Sequence, residues 1–344
     1  MPSALARICS APEVKTRILR TSNAADRETA VQAAVQALRG GEIVALPTET
    51  VYGLAADATD VTAVLKVFAA KERPRFDPLI VHVADQTWLN DVVAPENGIT
   101  ETVLKLTQAF WPGPLTLVLP RNSEINDVVT AGLPTVAVRA SAHPIFSEIV
   151  RRFGRPIAAP SANRFGHVSP TSAAHVRTEL DGLIPLIVDG GPTVHGLEST
   201  IVAIREGVIE ILRHGPVTAE QLADFAPVQS ATETVVPRAP GQLRSHYAPA
   251  TPLLLTESIG HFSIPHGKRV GALRWREEAA AGFAEIRVLS PVGDPREAAA
   301  NLFRQLRELD AAKLDLIVAE AVPEDGLGAA IMDRLRRAAA AHDL

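Results

Sequence analysis

Three short polar segments hold the side chains best suited to chemistry. The first, Pro47-Thr48-Glu49-Thr50-Val51-Tyr52-Gly53-Leu54, gathers hydroxyls, a carboxylate and a phenol directly after the apolar run at residues 42–46. A strand's carboxyl end is where open α/β sheets bind ligands, although the same string also reads as a turn whose threonines cap a following helix. The second, Lys71-Glu72-Arg73-Pro74, ends a helical stretch at residues 61–70 and leads into the apolar run at 79–83, which contains His82. A lysine point charge and an arginine fork at this spacing suit adjacent phosphates of a nucleotide, or simply complement the helix dipole. The third is Ala158-Ala159-Pro160-Ser161-Ala162-Asn163, followed by Ser169-Pro170-Thr171 leading into a helix. Its hydroxyls and amide can reach phosphate or ribose, and Ser169 also reads as an N-cap with proline at N1.

Two arginines close strands: Arg139 ends the run at 135–138 and Arg213 the run at 208–212. A planar fork there suits a ligand carboxylate or faces solvent. Gly113, in Trp111-Pro112-Gly113-Pro114, reads as part of a rigid turn without chemistry. The ten histidines show neither HxxxH nor HExxH spacing and Cys9 is the single cysteine, so no protein-held catalytic zinc is expected. GxSxG and GxxxxGK[ST] are also absent. What remains is a small-molecule or nucleotide site made of Thr, Ser, Asn, Lys and Arg.

The elements that must position these residues follow a layered α/β pattern. Residues 23–39 form an amphipathic helix that Gly40-Gly41 stops. Strand-like runs at 42–46, 79–83, 115–119, 135–139, 186–189 and 199–204 alternate with helical segments. Arg205-Glu206-Gly207 joins the last run to 208–212 as a hairpin, so the sheet is expected to be mixed. Residues 226–240 lose periodicity and read as a linker. A second α/β pattern follows, with strands near 253–255, 270–273, 286–289 and 314–319 and helices around 299–309 and 328–340. Its first strand is followed by no GxGxxG, which leaves a dinucleotide site there without support.

Composition narrows the class further. At 344 residues the chain has room for about two domains. Apolar residues make up 47% and aromatics 4%, so the cores are aliphatic. No apolar run approaches a membrane span, no signal-peptide pattern opens the chain, and one cysteine suits a reducing compartment; the expected location is cytoplasmic, with no membrane partner. A net charge of −5 argues against a broad nucleic-acid surface.

Taken together, several strings resemble the Sua5/YrdC family, the threonylcarbamoyl-AMP synthases that begin a modification at adenosine 37 of tRNA. They lie at 47–54, 71–73, 110–117, 136–144, 156–163, 189–200 and 212–215, with K-x-R (Lys71, Arg73) and S-x-N (Ser161, Asn163) jointly the most specific. Residues 240–249, Pro-Gly-Gln-Leu-Arg-Ser-His-Tyr-Ala-Pro, resemble the segment that opens the extra domain of the long Sua5 type. Ala55 and Gln242-Leu243 depart from the usual pattern without removing a polar group.

The resemblance implies a YrdC-like three-layer domain with a twisted mixed sheet at 20–225, a linker at 226–250 that closes over the active site, and a smaller Rossmann-like α/β domain at 251–344. It implies that L-threonine, bicarbonate and ATP give threonylcarbamoyl-AMP and pyrophosphate. Thr48, His82, Arg139 and Ser199 would hold threonine. Lys71, Arg73, Ser161, Asn163, Ser169, Arg213, His246 and Tyr247 would hold ATP, with Lys71 and Arg73, aided by Mg2+, stabilising the departing pyrophosphate as the catalytic pair. The product would pass to a tRNA threonylcarbamoyl transferase complex, with at most a weak RNA contact of the chain's own. The competing expectation is a YrdC-type double-stranded-RNA-binding module.

Overall fold

The structure is a computed structural model that describes residues 14–94, 98–231, 238–243, 246–278 and 281–341. Cys9, the linker residues 232–237 and the pair Arg244-Ser245 lie outside the described residues. A large sheet takes strands β1 (Arg17–Arg20), β2 (Val44–Leu46), β3 (Gly53–Asp57), β4 (Ile80–His82), β5 (Leu115–Pro120) and β6 (Thr135–Arg139). It continues with β7 (Ile157–Ala158), β8 (Leu186–Asp189), β9 (Thr200–Arg205), β10 (Val208–Arg213) and β11 (Val228–Ser230). The strand order is β1-β8-β2-β3-β7-β4-β6-β5-β9-β10-β11. Parallel pairs such as β4–β6 and β5–β9 sit beside antiparallel ones such as β2–β3 and β9–β10, the mixed sheet expected.

Around it run α1 (Ala24–Arg39), α2 (Val61–Lys71), α3 (Glu101–Phe110), α4 (Asp127–Thr130), α5 (Pro144–Phe153), α6 (Ala173–Leu180) and α7 (Ala219–Ala223). Strand alternation explains the layering. Val44 and Leu46 of β2 pack with Val31, Leu38 and Phe146 of α1 and α5, while Ala45 between them packs with Val67 and Val176 of α2 and α6. Asn23 caps α1 by accepting the Asp26 N–H, which fixes where that helix begins.

A second sheet follows, with β12 (Leu253–Thr256), β13 (Val270–Arg274), β14 (Glu285–Val288) and, after α8 (Pro295–Asp310), β15 (Leu316–Glu320); α9 (Leu327–Ala340) ends the fold. All its pairs are parallel, in the order β12-β15-β13-β14. The helical face foreseen from Ala299, Leu302, Phe303, Leu306 and Leu309 is fully buried.

Three readings need correction. The segment at 47–54 caps no helix: residues 53–57 form β3, antiparallel to β2, so the threonines sit in a strand-to-strand connection. Ser169 is not an N-cap either. The Pro170 carbonyl accepts the Tyr52 N–H, which keeps that stretch extended, and Ser172 caps α6 instead through the His175 N–H. The stretch read as an aperiodic linker carries β11, which pairs in parallel with β10.

Candidate active site

One end of a deep cleft is built on the β2–β3 connection. Thr48 Oγ1 donates to the Val51 carbonyl at 2.6 Å and accepts the Thr50 and Val51 N–H groups, which folds the loop around a single hydroxyl. That fold turns Glu49 toward the end of β6, where Arg139 Nη2 meets its carboxylate at 2.6 Å and Ser141 donates to its other oxygen. Burial alone would push the Glu49 carboxyl up, but Arg139 and Ser141 outweigh it and hold it at about 2. Arg139 also donates from Nε to the Gly113 carbonyl and from Nη1 to Thr50. The Gly113 turn keeps the structural role read for it and orients Arg139 through its backbone carbonyl. Each terminal nitrogen of Arg139 keeps one N–H beyond these partners among the described residues, the fork a carboxylate needs. His82, on neighbouring β4, lies against Phe146 with its Nδ1 unpartnered. Burial, reinforced by Arg139, lowers it to about 3, so its ring is neutral at physiological pH.

The other end starts where α2 stops. Glu72 adopts φ 54°, a left-handed turn that sends its own side chain to solvent and brings Lys71 and Arg73 inward. This is the physical content of the K-x-R spacing. Lys71 Nζ donates to the carbonyls of Ser161, at 2.6 Å, and Asn163, so it lies behind the cleft wall and shapes the loop that forms it. Arg73 donates to the carbonyls of Asp77 and Pro78. Its guanidinium lies 2.8 Å from the Asp77 carboxylate, although neither Asp77 oxygen accepts a well-aligned hydrogen bond, and burial raises that carboxyl above its ordinary value. Arg213 donates to the carbonyl and hydroxyl of Ser199, and Ser199 in turn meets Thr116 at 2.8 Å.

Residues 240–241 and 246–247 roof the cleft. Gly241 sits at φ +82°, and a Cβ there would lie 2.4 Å from the Tyr247 hydroxyl and 3.1 Å from Arg213, so only glycine fits. The Tyr247 ring stacks on Phe303 of α8 and packs edge-on to His246. Under this roof the void open to water is about 50 Å3, room for a few water molecules only.

Thr48, His82, Arg139, Ser199, Arg73, Ser161, Arg213, His246 and Tyr247 all line this one cleft. Lys71, Asn163 and Ser169 are buried one layer behind it; the Asn163 amide holds the Arg164 and His167 carbonyls, and Ser169 donates to Glu198. Glu198 and Gly241 were not singled out as site residues, and both are on the wall. Glu198 immediately precedes Ser199 inside the 189–200 string that resembles the family, a signal that points to it.

Comparison with known proteins settles the lineage. Residues 36–215 match the Sua5/YciO/YrdC family model, described as "Telomere recombination", and residues 217–340 match the model of the threonylcarbamoyl-AMP synthase C-terminal domain. Threonylcarbamoyl-AMP synthase of Bacillus subtilis (strain 168) is 41% identical over 333 residues, covering 93% of this chain and 95% of that one. The chain belongs to the Sua5/YrdC family of threonylcarbamoyl-AMP synthases. The family member of Pyrococcus abyssi (strain GE5 / Orsay) is 40% identical over 330 residues, 90% of this chain and 94% of that one. A solved structure of P. abyssi Sua5 complexed with L-threonine superposes with a TM-score of 0.83 at 37% identity, covering 94% of this chain and 97% of the other. No helix among the described residues is long and apolar enough to cross a membrane.

Proposed function

We propose that this cleft condenses L-threonine, bicarbonate and ATP into threonylcarbamoyl-AMP and pyrophosphate, the adenylate used for N6-threonylcarbamoyladenosine at position 37 of tRNA. The observation that carries the reading is the pairing, in one roofed cleft, of a carboxylate-binding fork at Arg139 with the Arg73 and Arg213 cluster. The threonine carboxylate takes the two remaining N–H groups of Arg139, beside Thr48, Thr50 and His82. This places the amine toward the centre of the cleft, where the neutral amine bonds to the carbon of CO2 and gives up a proton, or to that of bicarbonate with its C–OH bond breaking and the hydroxide leaving with the amine proton as water. The resulting carbamate oxygen then bonds to the α-phosphorus of ATP as the α–β phosphoanhydride bond breaks and pyrophosphate leaves. Arg73, Arg213 and the backbone loop held by Lys71 stabilise the charge on the phosphates, so catalysis is positioning and electrostatics. Closure by His246 and Tyr247 keeps water from the carbamate.

Mg2+ accompanies ATP in this reading. No group of three or more His, Cys, Asp or Glu side chains that could hold a metal occurs among the described residues, and Glu49 and Glu198 are each engaged by an arginine. The phosphate oxygens are then the natural ligands of a hard cation. The product passes to a tRNA threonylcarbamoyl transferase in the cytoplasm, and no RNA contact by this chain is required.

Pyrophosphate release, with threonine and bicarbonate omitted in turn, tests the reaction. Release that needs both is expected; release indifferent to threonine would sink the assignment.

A proton should move with the nucleotide. Burial, with Arg73 adding to it, lowers Lys71 to about 7, and arriving phosphate raises it again. Between those two values ATP binding takes up a proton, so affinity falls as pH rises, by up to about tenfold per unit above pH 7. Calorimetry at pH 8 in buffers of different ionisation enthalpy should register uptake approaching one proton. An uptake of zero there would uncouple Lys71 from nucleotide.

A further inference from the structure

Glu198 is a carboxylate on the wall of a cleft that must take a polyanion. Ser169 donates to one of its oxygens and Arg334 Nε to the other at 2.9 Å. Arg334 belongs to α9, in the second domain, and is wholly buried. Its remaining nitrogens hold the Asp333 carboxylate at 2.6 Å and the His214 carbonyl at 3.0 Å, and its guanidinium lies 5.0 Å over the Tyr247 ring. Next along α9, Arg337 holds the Leu243 carbonyl at 2.6 Å, and the Arg337 carbonyl accepts the His246 N–H. From α8, Arg307 reaches the Val168 and Ser169 carbonyls and Glu179. The loop before Glu198 is pressed onto the same helix: a Cβ on Gly196 would lie 2.6 Å from the Ala299 carbonyl. The second domain thus grips both members of the Ser169–Glu198 pair and the roof above them.

We propose that Arg334 is a positioning residue for the nucleotide half of the reaction, supplied by the second domain to neutralise Glu198 and seat Tyr247. The inference rests on the ATP reading above. Without Arg334 the phosphates would approach an uncompensated buried carboxylate. With it, Arg73 and Arg213 face the nucleotide unopposed on that wall.

Steady-state kinetics of the full chain test this through three variants. Arg334→Met should raise the KM for ATP about tenfold or more and leave the KM for threonine within about twofold, since Thr48 and Arg139 lie at the other end of the cleft. Glu198→Gln alone should lower the KM for ATP. The double variant Arg334→Met/Glu198→Gln should return the KM for ATP to within about threefold of the wild type, a rescue that a merely structural arginine would not give. Equal impairment of the single arginine variant and the double variant would overturn the proposal. If Arg334→Met does not fold, Glu198→Gln still decides, because a raised KM for ATP would show that the carboxylate binds nucleotide and needs no neutralising. Failure of the ATP reading itself is distinguishable, since wild-type pyrophosphate release would then be independent of threonine.

Discussion

Arg139→Lys should raise the KM for threonine by about 100-fold while the KM for ATP stays within about threefold. Lysine keeps the charge, and so keeps Glu49 compensated, but loses the fork that reaches Glu49, Thr50 and the Gly113 carbonyl while leaving two N–H groups for a ligand. Each lost charge-assisted hydrogen bond is worth about 1.5–3 kcal/mol, and the proposed function gives the threonine carboxylate two of them. Arg139→Ala is a harsher change of a different kind. It strands a buried carboxylate and should cost about 3–5 kcal/mol of stability, visible as a lowered denaturation midpoint. Unchanged threonine kinetics in the lysine variant would remove Arg139 from the substrate site.

Lys71→Met should lower turnover about 100-fold or more, the order of loss seen when one preorganised charge-stabilising donor is removed. Methionine fills a similar volume, so the packing of α2 should survive, but the Ser161 and Asn163 carbonyls lose their common donor. The effect reaches the phosphates in two ways, through the missing charge and through a loosened loop at the cleft wall. Single-turnover measurement with saturating ATP isolates the chemical step from binding. A rate close to that of the wild type would reduce Lys71 to a stitch between two segments.

The contrast between these two residues shows what the sequence could disclose. Lys71 and Arg73 were legible because a short spacing with one outward residue between them is a local property, set by the left-handed turn at Glu72. The strands at 135–139 and 186–189 were legible for the same reason: their runs of Val, Leu and Ile contain enough β-branched residues to declare themselves. Arg139 could be seen as a fork in search of a carboxylate, but its pairing with Glu49, far away in the chain, is a choice made by tertiary structure. Arg334 and Glu198 are more widely separated still, and nothing in the sequence marks Arg334 as buried apart from the other two arginines of its amphipathic helix, Arg336 and Arg337. The strands at 17–20 and 228–230 escaped notice because edge strands need no continuous apolar run. Ser169 was misread because Ser172 offers the same capping chemistry three residues later, and the Tyr52 N–H decides between them by taking the Pro170 carbonyl.

The order of the large sheet has a kinetic consequence. Arg17 of β1 pairs with Leu186 of β8, and β8 also pairs with β2, so one side of the sheet closes only when segments distant in the chain meet. Contacts of that range are slow to form, because loop-closure entropy is lost before any pairing compensates for it. Until β8 arrives, β2, whose three residues are all buried in the finished fold, offers an open apolar edge. The cleft is lined from β3, β4, β6 and β10 and the segments beside β2 and β9, so it is complete only when these non-local pairings are in place. Exposed strand edges of this kind are what chaperones shield in large mixed-sheet proteins, a demand that a helical protein of equal length, built from local contacts, escapes.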